Sequence, residues 1–385
     1  MFGFSLIFIQ KKLTLPLLYQ SNDSPNNPLS PLIMKKSVLL DLRNLDNPTS
    51  GFGQIAFNYA LYFAELDLPD LRFVFLVPEN CTMDFGNQVE VVRCTREMKK
   101  HTNLLPKVDL WHSVNQQQKI RRIEGETKFL LTIHDLNFLR EKNWFRQLKH
   151  IFVLQRLVNR AAAITCISGF VGEEIQQHLK LKGKTFQVIY NGVENIVDKP
   201  QGKPAFATGR PFFFSIGQIR QKKNFHLLID VMKEFPDYDL YICGDDHFDF
   251  AKTIRKRLVA EQVKNVFLTG KITEEERIWL YSHCEALLFP SQGEGFGLPA
   301  IEAMQFGKPV FVSNCTCLPE ITAGHAFVWK DLKTETMVEG IRKYLPVFKA
   351  DASRAEQVKA YASTFTYQRH IEQYLALYRK ILQQT

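Results

Sequence analysis

The most informative stretch of this sequence is a glycine-rich segment, Phe289-Pro290-Ser291-Gln292-Gly293-Glu294-Gly295-Phe296-Gly297-Leu298-Pro299-Ala300-Ile301-Glu302-Ala303-Met304. It predicts a strand that runs into a glycine turn and then into a helix. Glycines let a backbone approach a ligand closely, and a helix N-terminus attracts an anion. Glu294 in the turn and Glu302 on the helix would place two carboxylates at opposite ends of one extended, hydroxyl-bearing ligand. For a lone motif, an ordinary turn with a surface Glu is the alternative.

Short apolar runs recur along the rest of the chain, separated by stretches with helical spacing. Because the runs are apolar throughout, they predict strands buried on both faces of a parallel sheet. The predicted strands are Val38–Leu42, Phe73–Val77, Val89–Val92, Leu110–His112, Phe129–Ile133, Ile164–Ile167, Phe186–Tyr190, Phe212–Ile216, Leu240–Cys243, Val266–Thr269, Ala286–Phe289 and Val310–Val312. This alternation predicts an α/β fold.

The composition is that of a globular protein. The chain has 385 residues, of which 45% are hydrophobic and 23% charged, and its net charge is +9. This length suits two domains better than one. No apolar run approaches the ~18–20 residues that a membrane-spanning helix needs. The seven Cys residues form no C-x-x-C pair, which argues against a zinc ribbon or a redox motif and favours a reducing, cytoplasmic setting.

A polar segment rich in Pro and Gly, residues 198–204, predicts a linker between domains. We therefore expect one doubly wound domain at 34–205 and a second at 206–365. A C-terminal helix at 366–385 is expected to pack back onto the first domain. Residues 1–33 contain a stretch rich in Ser, Asn and Pro, and are expected to be a disordered or non-native extension.

Several segments together resemble the retaining family 4 (group 1) glycosyltransferases of the GT-B fold. The segment 289–304 resembles the Glu-x7-Glu signature of that family, and 215–225 resembles its phosphate-binding loop. Further matches are Ser50–Gly53, Thr132–Leu136, Ile167-Ser168, Val188–Val193, Gly307–Val310, Ser313 and Leu318–Glu320. These matches occur in order over nearly all of residues 36–380, which is far more specific than any single one.

The resemblance implies two Rossmann-like domains that face a cleft, in which a nucleotide-sugar donor binds. It implies that Glu302 contacts the ribose hydroxyls. It also implies that Glu294 contacts hydroxyls of the donor sugar, assisted by backbone N–H groups at three following positions, Phe296, Gly297 and Leu298. The family works without a divalent metal, so the resemblance implies that neither a metal nor a cofactor is needed.

The phosphate-binding loop departs from the family pattern at one position. Lys223 is expected to bind the diphosphate, whose charge grows as the glycosidic bond breaks. The family often has Arg directly after the loop glycine, where this chain has Gln218. A hydrogen bond to a charged group contributes about 1.5–3 kcal/mol, against about 0.5–1.5 kcal/mol for a neutral one. Either the site is weaker, or a nearby cation substitutes, with Arg220 favoured over Lys222. Alternatively, both are solvated surface charges.

Two more candidates lie in the first half of the chain. His134 follows an apolar strand, and ligands of open α/β sheets bind beyond the carboxyl ends of strands. With the family match, this predicts a catalytic role for His134 beside the donor sugar, although a His after a strand can be purely structural. Gly51 and Gly53 resemble the family's loop at the diphosphate and the acceptor. They lack the third glycine and the acidic residue of an NAD site.

These residues predict an enzyme that moves a hexose from a nucleotide sugar to an acceptor hydroxyl with retention of configuration, in cell-surface polysaccharide or glycolipid synthesis. GDP-mannose is the first choice of donor, and a UDP-hexose the next. The acceptor is expected to be a glycan or a lipid-linked molecule. A nucleotide-sugar epimerase of the same fold, and a non-catalytic protein that binds nucleotide or glycan, stay open as alternatives. The sequence shows no convincing motif for the Lys that anchors pyridoxal phosphate in a phosphorylase. It also shows no nucleic-acid recognition motif beside its positive charge.

The positive charge is concentrated in one part of the first half. Residues 93–160 hold 15 Lys+Arg against 6 Asp+Glu. Within them, 140–160 interleaves basic and aromatic residues, which suits an anionic membrane surface and equally a normal solvated helix. We therefore expect a cytoplasmic protein with a peripheral contact at the inner face of the membrane, or an acidic, lipid-linked acceptor.

Overall fold

The computed structural model describes residues 34–47, 50–117 and 125–384, so the predicted extension at 1–33 lies outside the described residues. The strands are β1 (Lys36–Asp41), β2 (Leu71–Pro78), β3 (Val89–Cys94), β4 (Leu110–Ser113), β5 (Lys128–Ile133), β6 (Ala163–Cys166), β7 (Phe186–Val188), β8 (Phe212–Ile216), β9 (Asp239–Cys243), β10 (Val266–Gly270), β11 (Ala286–Phe289), β12 (Val310–Ser313) and β13 (Phe327–Trp329). The α-helices are α1 (Gly51–Ala64), α2 (Arg96–Lys100), α3 (Phe138–Glu141), α4 (Trp144–Arg160), α5 (Gly169–His178), α6 (Leu227–Lys233), α7 (Asp249–Ala260), α8 (Glu274–His283), α9 (Leu298–Gln305), α10 (Leu318–Thr322), α11 (Thr334–Ala350), α12 (Ala352–Ala362) and α13 (Tyr367–Gln383).

The strands form two parallel sheets. One has the order β3-β2-β1-β4-β5-β6-β7 and the other β10-β9-β8-β11-β12-β13. In each sheet the order reverses beside its first strand, at β1/β4 and at β8/β11, as in doubly wound Rossmann-like domains. Ligands of such sheets bind beyond the carboxyl ends of the strands at this switch point. The predicted α/β class with two doubly wound sheets is confirmed.

The predicted strands are all present, with ends that lie within two residues of the prediction. The sequence reasoning missed β13, a strand of three residues at the edge of its sheet. A strand this short contributes few ladder hydrogen bonds, and its apolar run is too brief to stand out from neighbouring helices. The predicted C-terminal helix is α13, which ends at Gln383.

The chain divides into two compact units. One contains the described residues up to Leu130 together with those from Tyr374 onward, and the other spans Leu131–Gln373. They are called unit 1 and unit 2 below. The predicted domain boundaries at 205 and 365 stay a prediction.

The end of α13 packs into unit 1 through buried aromatic side chains. Tyr374 and Tyr378 are fully buried, and the Tyr378 hydroxyl lies 2.7 Å from His112 Nδ1 at the end of β4. Two hydrogen bonds reinforce this packing, because Arg379 donates to both carboxylate oxygens of Asp70. These bonds lower the pKa of Asp70. The last part of the expected C-terminal helix therefore packs within unit 1, and its return to the domain expected at 34–205 stays a prediction.

A buried imidazole in unit 2 gives the fold a sensitivity to acid. His370 is 3% exposed, and its Nδ1 donates to the Tyr190 carbonyl at 2.7 Å. Burial disfavours the charged imidazolium and lowers the pKa of His370 to about 4. A His in the unfolded chain has a pKa near ~6.5. Between these values the unfolded chain binds a proton that the folded chain does not, so the free energy of unfolding falls as the pH is lowered.

Wild type should lose unfolding free energy as the pH falls from ~6.5 to ~4. We predict that His370→Gln makes this loss smaller by about 3 kcal/mol, because the titrating group is gone. Urea unfolding at a series of pH values measures this slope. His283→Gln is the matched control, since His283 is exposed and is bonded to the Ser282 hydroxyl and the Trp279 carbonyl rather than to a carboxylate. This substitution should leave the slope unchanged. An equally steep decline in His370→Gln would contradict the assignment.

Candidate functional site

The predicted strand–turn–helix segment is present in unit 2. Strand β11 ends at Phe289 and α9 begins at Leu298. The N-cap residue of α9 is Gly297, with φ of +94°, a left-handed conformation that glycine adopts without strain. A Cβ at Gly297 would also lie 2.6 Å from Leu318 Cδ2. Pro299 follows in the first turn, where its missing N–H costs no hydrogen bond. The start of α9 is therefore fixed by this local sequence.

Gly295 brings the turn into direct contact with the backbone that follows β5. A Cβ on Gly295 would lie 2.2 Å from the His134 carbonyl oxygen, so no other residue fits without moving the chain. The Gly295 carbonyl accepts a hydrogen bond from the Ser168 hydroxyl at 3.0 Å. The glycine turn therefore lies against the carboxyl ends of β5 and β6, and two sequence-predicted elements, His134 and the Glu294 turn, are brought together.

Glu294 is paired with Lys223. Its Oε1 accepts a hydrogen bond from the Lys223 ammonium, and the two side chains are only 13% and 12% exposed. A Cβ on Gly217, the residue after β8, would lie 3.5 Å from Lys223 Nζ. The ammonium thus lies between the end of β8 and the end of β11, at the switch point of the second sheet. Both predicted residues are where a doubly wound sheet binds its ligand.

The loop that carries Lys223 is hydrogen-bonded to the glycine turn. Residues Gln221–Lys223 form a short 3-10 helix that ends at Asn224, with φ of +54°. The buried Asn224 side chain donates to the Pro290 carbonyl at 3.0 Å. The backbone N–H of Gln292 donates to the Lys222 carbonyl at 2.8 Å. These bonds hold the predicted phosphate-binding loop and the glycine turn in register.

Glu302 lies on α9 and is oriented by two residues of α8. Arg277 Nη1 donates to one carboxylate oxygen and the Tyr281 hydroxyl to the other, each at 2.7 Å. Burial, and then the charge of Glu302, raise the pKa of Tyr281 well above its usual value, so its hydroxyl remains a donor. The charge of Glu302 also raises the pKa of Arg277. Both oxygens keep acceptor capacity for a ligand.

Arg277 and Tyr281 were missed by the sequence reasoning. Their i, i+4 spacing marks one face of a helix, but nothing in the sequence says that this face lies beside α9. The signal that could have found them is a Tyr and an Arg on the helix that precedes the motif strand.

Arg220 and Lys222, the candidate substitutes for the missing Arg, both approach Glu141. Lys222 Nζ donates to Glu141 Oε1 at 2.7 Å, and Arg220 Nη1 lies 4.0 Å from Oε2. The Arg220 guanidinium also lies over the Phe248 ring, 4.2 Å from its centroid. Its buried Nε has no hydrogen-bond partner among the described residues. Gln218, in the position of the family Arg, is exposed.

His134 is 4% exposed and is followed by a second polar residue that the prediction left out. Asp135 Oδ1 accepts a hydrogen bond from the Asn137 N–H at 2.9 Å. Burial raises the pKa of Asp135, and the charge of Glu294 acts in the same direction. The end of β5 therefore presents a desolvated carboxyl within the electrostatic field of the Glu294 turn.

Glu320 joins α10 to the start of α5. Its two oxygens accept hydrogen bonds from the backbone N–H groups of Gly169 at 2.7 Å and Phe170 at 2.9 Å. A carboxylate is favourable at a helix N-terminus. The Tyr190 hydroxyl also donates to it at 2.9 Å. Burial and this bond raise the pKa of Tyr190 to about 12. The sequence marked Glu320 only as part of a motif; the structure gives it a helix-capping role.

Gly51 and Gly53 belong to unit 1, where they differ from the predicted loop. Helix α1 begins at Gly51, so both glycines lie in its first turn. The Ser50 hydroxyl oxygen accepts a hydrogen bond from the Gly53 N–H at 3.0 Å, and Ser is a preferred N-cap residue. This cap is the physical reason that the segment is helical. Their part in donor binding stays a prediction.

In the part of the chain that the structure describes, no group of three or more His, Cys, Asp or Glu side chains could hold a metal ion. That the protein needs neither metal nor cofactor stays a prediction. Among the same residues, no helix is both long and apolar enough to cross a bilayer.

Two family models match the chain in order. Residues 71–195 match the model described as Glycosyltransferase Family 4, and residues 197–363 match the model described as Glycosyl transferases group 1. Together they cover most of the chain. The protein belongs to this glycosyltransferase family, and the resemblance drawn from the motifs is confirmed.

The chain is similar to two curated bacterial proteins. It is 31% identical over 206 residues to the O-antigen chain mannosyltransferase RfbU of Salmonella typhimurium, a match that covers 52% of this chain and 56% of RfbU. It is 26% identical over 251 residues to the serotype-specific mannosyltransferase WbdA of Escherichia coli, covering 59% of this chain and 31% of WbdA. The chain therefore spans about half of one relative and a third of the other.

Solved structures share the fold. The sucrose-phosphate synthase of Thermosynechococcus elongatus superposes with a TM-score of 0.72 at 16% identity, covering 91% of this chain and all of that one. HepE of Anabaena, solved in complex with UDP-glucose, gives a TM-score of 0.68 at 17% identity, covering 89% and 99%. The GT-B architecture implied by the resemblance is confirmed.

The close contact of the glycine turn predicts unequal effects of two matched substitutions. Gly295→Ala should lower the free energy of unfolding by about 1–3 kcal/mol. Its Cβ would clash with the His134 carbonyl oxygen, a backbone atom that can move only if the chain moves. Gly293→Ala should cost less, since its Cβ would lie 3.2 Å from Lys222 Cδ, in a flexible side chain. Urea unfolding compares the two variants. Equal losses would mean that the contact at Gly295 does not hold the turn.

Proposed function

We propose that this protein transfers a hexosyl group, mannose in the first place, from a nucleotide sugar to a hydroxyl of a glycan or lipid-linked acceptor, with retention of configuration. The observation that carries the proposal is the pair of carboxylates flanking the glycine turn, each held in place by a cationic side chain. Glu294 is paired with Lys223, and Glu302 with Arg277.

The positions of the two pairs support the assignment of each charged residue to a different part of the donor: the ribose, the diphosphate or the sugar. Glu302, held by Arg277 and Tyr281, is oriented to accept hydrogen bonds from the ribose hydroxyls. Lys223 beside Gly217 is placed to meet a diphosphate. An arriving diphosphate would compete with Glu294 for the ammonium and leave this carboxylate free to accept bonds from sugar hydroxyls. Arg220 is proposed as the second cation toward the phosphates.

The chemistry follows from the leaving group. As the glycosidic bond breaks, negative charge grows on the nucleoside diphosphate, and preorganised cations and helix N–H groups stabilise that charge. Lys223 is assigned to this task, and the N–H groups of Phe296, Gly297 and Leu298 at the start of α9 are assigned to the donor sugar beside Glu294. His134 is assigned to the sugar or the acceptor. The departing phosphate accepts the proton of the acceptor hydroxyl on the same face, which retains the anomeric configuration.

The names of the relatives support mannose as the transferred sugar and a polysaccharide as the product. RfbU and WbdA are both named mannosyltransferases, and RfbU acts on the O-antigen chain by its name. GDP-mannose is therefore the first donor to test. The complex of HepE with UDP-glucose makes UDP-glucose the natural second choice.

A panel of donors tests the proposal. Thermal unfolding is followed with GDP-mannose, UDP-glucose or UDP-galactose, and nucleotide release is followed with and without added acceptor. A ligand present at about 100 times its Kd should stabilise the protein by about 2.7 kcal/mol. Glu294→Gln should keep the fold and lose most turnover. If no nucleotide sugar stabilises the protein or is consumed, the proposal fails, and conversion of the donor to its epimer without acceptor would favour an epimerase.

Tyr281→Phe tests whether the Glu302 carboxylate must be oriented. The substitution removes one of its two donors at 2.7 Å, a hydrogen bond to a charged group worth about 1.5–3 kcal/mol. We expect donor KM to rise by roughly tenfold or more, with a smaller change in kcat. Tyr241→Phe is the control, because Tyr241 is also buried and bonded but contacts Thr208 and Asp239. An unchanged donor KM in Tyr281→Phe would remove the positioning role.

A further inference from the structure

Helix α4 has one buried and one exposed side. Leu154, Leu157 and Val158 are buried in unit 2. Large apolar side chains elsewhere on the helix are exposed. These are Trp144, Phe145, Leu148, Phe152 and Val153, which are between 47% and 66% exposed. Contiguous exposed apolar surface of this kind marks an interaction site rather than ordinary solvated surface.

The exposed apolar side chains follow the helical repeat. Trp144, Leu148 and Phe152 are spaced at i, i+4 and i+8, which places them on one stripe. The rings of Trp144 and Phe145 are stacked, with centroids 3.7 Å apart. The two stacked rings form one continuous apolar surface at the N-terminal end of the helix. The stripe runs along the helix for more than two turns.

Basic side chains flank the stripe. Helix α4 contains no Asp or Glu, and Arg146, Lys149 and Arg156 are exposed. Within the described residues none of these three forms an ion pair, whereas Lys222 is paired with Glu141. The Arg156 guanidinium lies 4.6 Å from the centroid of the Phe152 ring. We call the apolar stripe with these three cations the α4 face.

We infer that the α4 face docks onto an anionic lipid surface. Apolar side chains flanked by unpaired cations match the two components of such a surface, its acyl boundary and its negative headgroups. Tryptophan suits the level between them, because its ring is apolar and its N–H is polar. Lys and Arg stems lie along the boundary while their charges stay in water. This docking goes beyond the proposed glycosyl transfer and does not depend on it.

The helix is already formed and capped without lipid. Asn143 Oδ1 accepts a hydrogen bond from the Arg146 N–H at 3.2 Å. At the other end Lys184 Nζ donates to the carbonyls of Val158 and Ala161. Docking therefore requires no folding of the segment, and the ordering cost of binding stays small.

A second copy of the chain suits the α4 face less well. A two-fold symmetric contact places the same patch on both partners. Arg146, Lys149 and Arg156 of one copy would then face the same cations of the other, with no acidic side chain on the helix to offset them. Like charges across an interface oppose association. The lipid surface is the occupant that the charges favour.

Vesicle flotation with the full chain tests the inference. Vesicles of phosphatidylcholine alone are compared with vesicles that also contain phosphatidylglycerol, and brominated acyl chains are used to quench Trp144 fluorescence. Wild type should bind the anionic vesicles and be quenched there. Each cation removed should weaken binding roughly fivefold, so R146Q/K149Q/R156Q should bind roughly 100-fold more weakly. At high salt, where the attraction between the cations and the headgroups is screened, wild type should keep part of its binding. W144S/F152S should lose this remaining binding.

Matched controls lie on the exposed side of α7. Lys256→Gln and Val259→Ser change an exposed cation and an exposed apolar side chain and should leave binding unchanged. Thermal stabilisation by a nucleotide sugar should be the same in all variants, so failure of the lipid test and failure of the donor test can be told apart. Equal binding of wild type to both vesicle types would overturn the inference. A dimer that W144S/F152S converts to a monomer, with unchanged vesicle binding, would overturn it also and assign the face to a second copy.

Discussion

The contact between Gly295 and the His134 carbonyl is the constraint on which the candidate site depends. Because a Cβ would lie 2.2 Å from that oxygen, only glycine lets the turn after β11 reach the end of β5. The Ser168 hydrogen bond to the Gly295 carbonyl holds the same contact from β6. Glu294 is then presented beside Lys223 at the switch point of the second sheet. The backbone contact at Gly295 therefore determines where the charged side chain of Glu294 lies.

The two carboxylates are held in different ways, and this difference underlies the proposed function. Glu302 is fixed through both oxygens by Arg277 and Tyr281, which suits a group that recognises hydroxyls and stays in place. Glu294 has an ammonium as partner, and a diphosphate can compete for that ammonium. A largely buried ion pair is costly to break unless a replacement partner arrives. In the proposed function, an arriving diphosphate replaces Glu294 as the partner of the Lys223 ammonium.

The sequence predicted the parallel strands, the glycine turn and both carboxylates, because apolar runs and glycine spacing are local signals. It did not predict Arg277 and Tyr281, since their role arises only when α8 packs beside α9. The capping of α5 by Glu320, far along the chain, was missed for the same reason. Gly51 and Gly53 were expected in a loop, yet Ser50 caps a helix that includes them. Contacts distant in sequence account for the first two of these differences, and a local cap accounts for the third.

The most direct test of the central claim is the anomeric configuration of the product. Proton NMR follows the reaction of GDP-mannose, whose mannose is α-linked, with an isolated glycan or lipid-linked acceptor. The account predicts transfer of mannose to an acceptor hydroxyl with an α linkage in the first-formed product, and the loss of this transfer in Glu294→Gln. A β linkage, or release of the nucleotide without transfer of sugar, would contradict it.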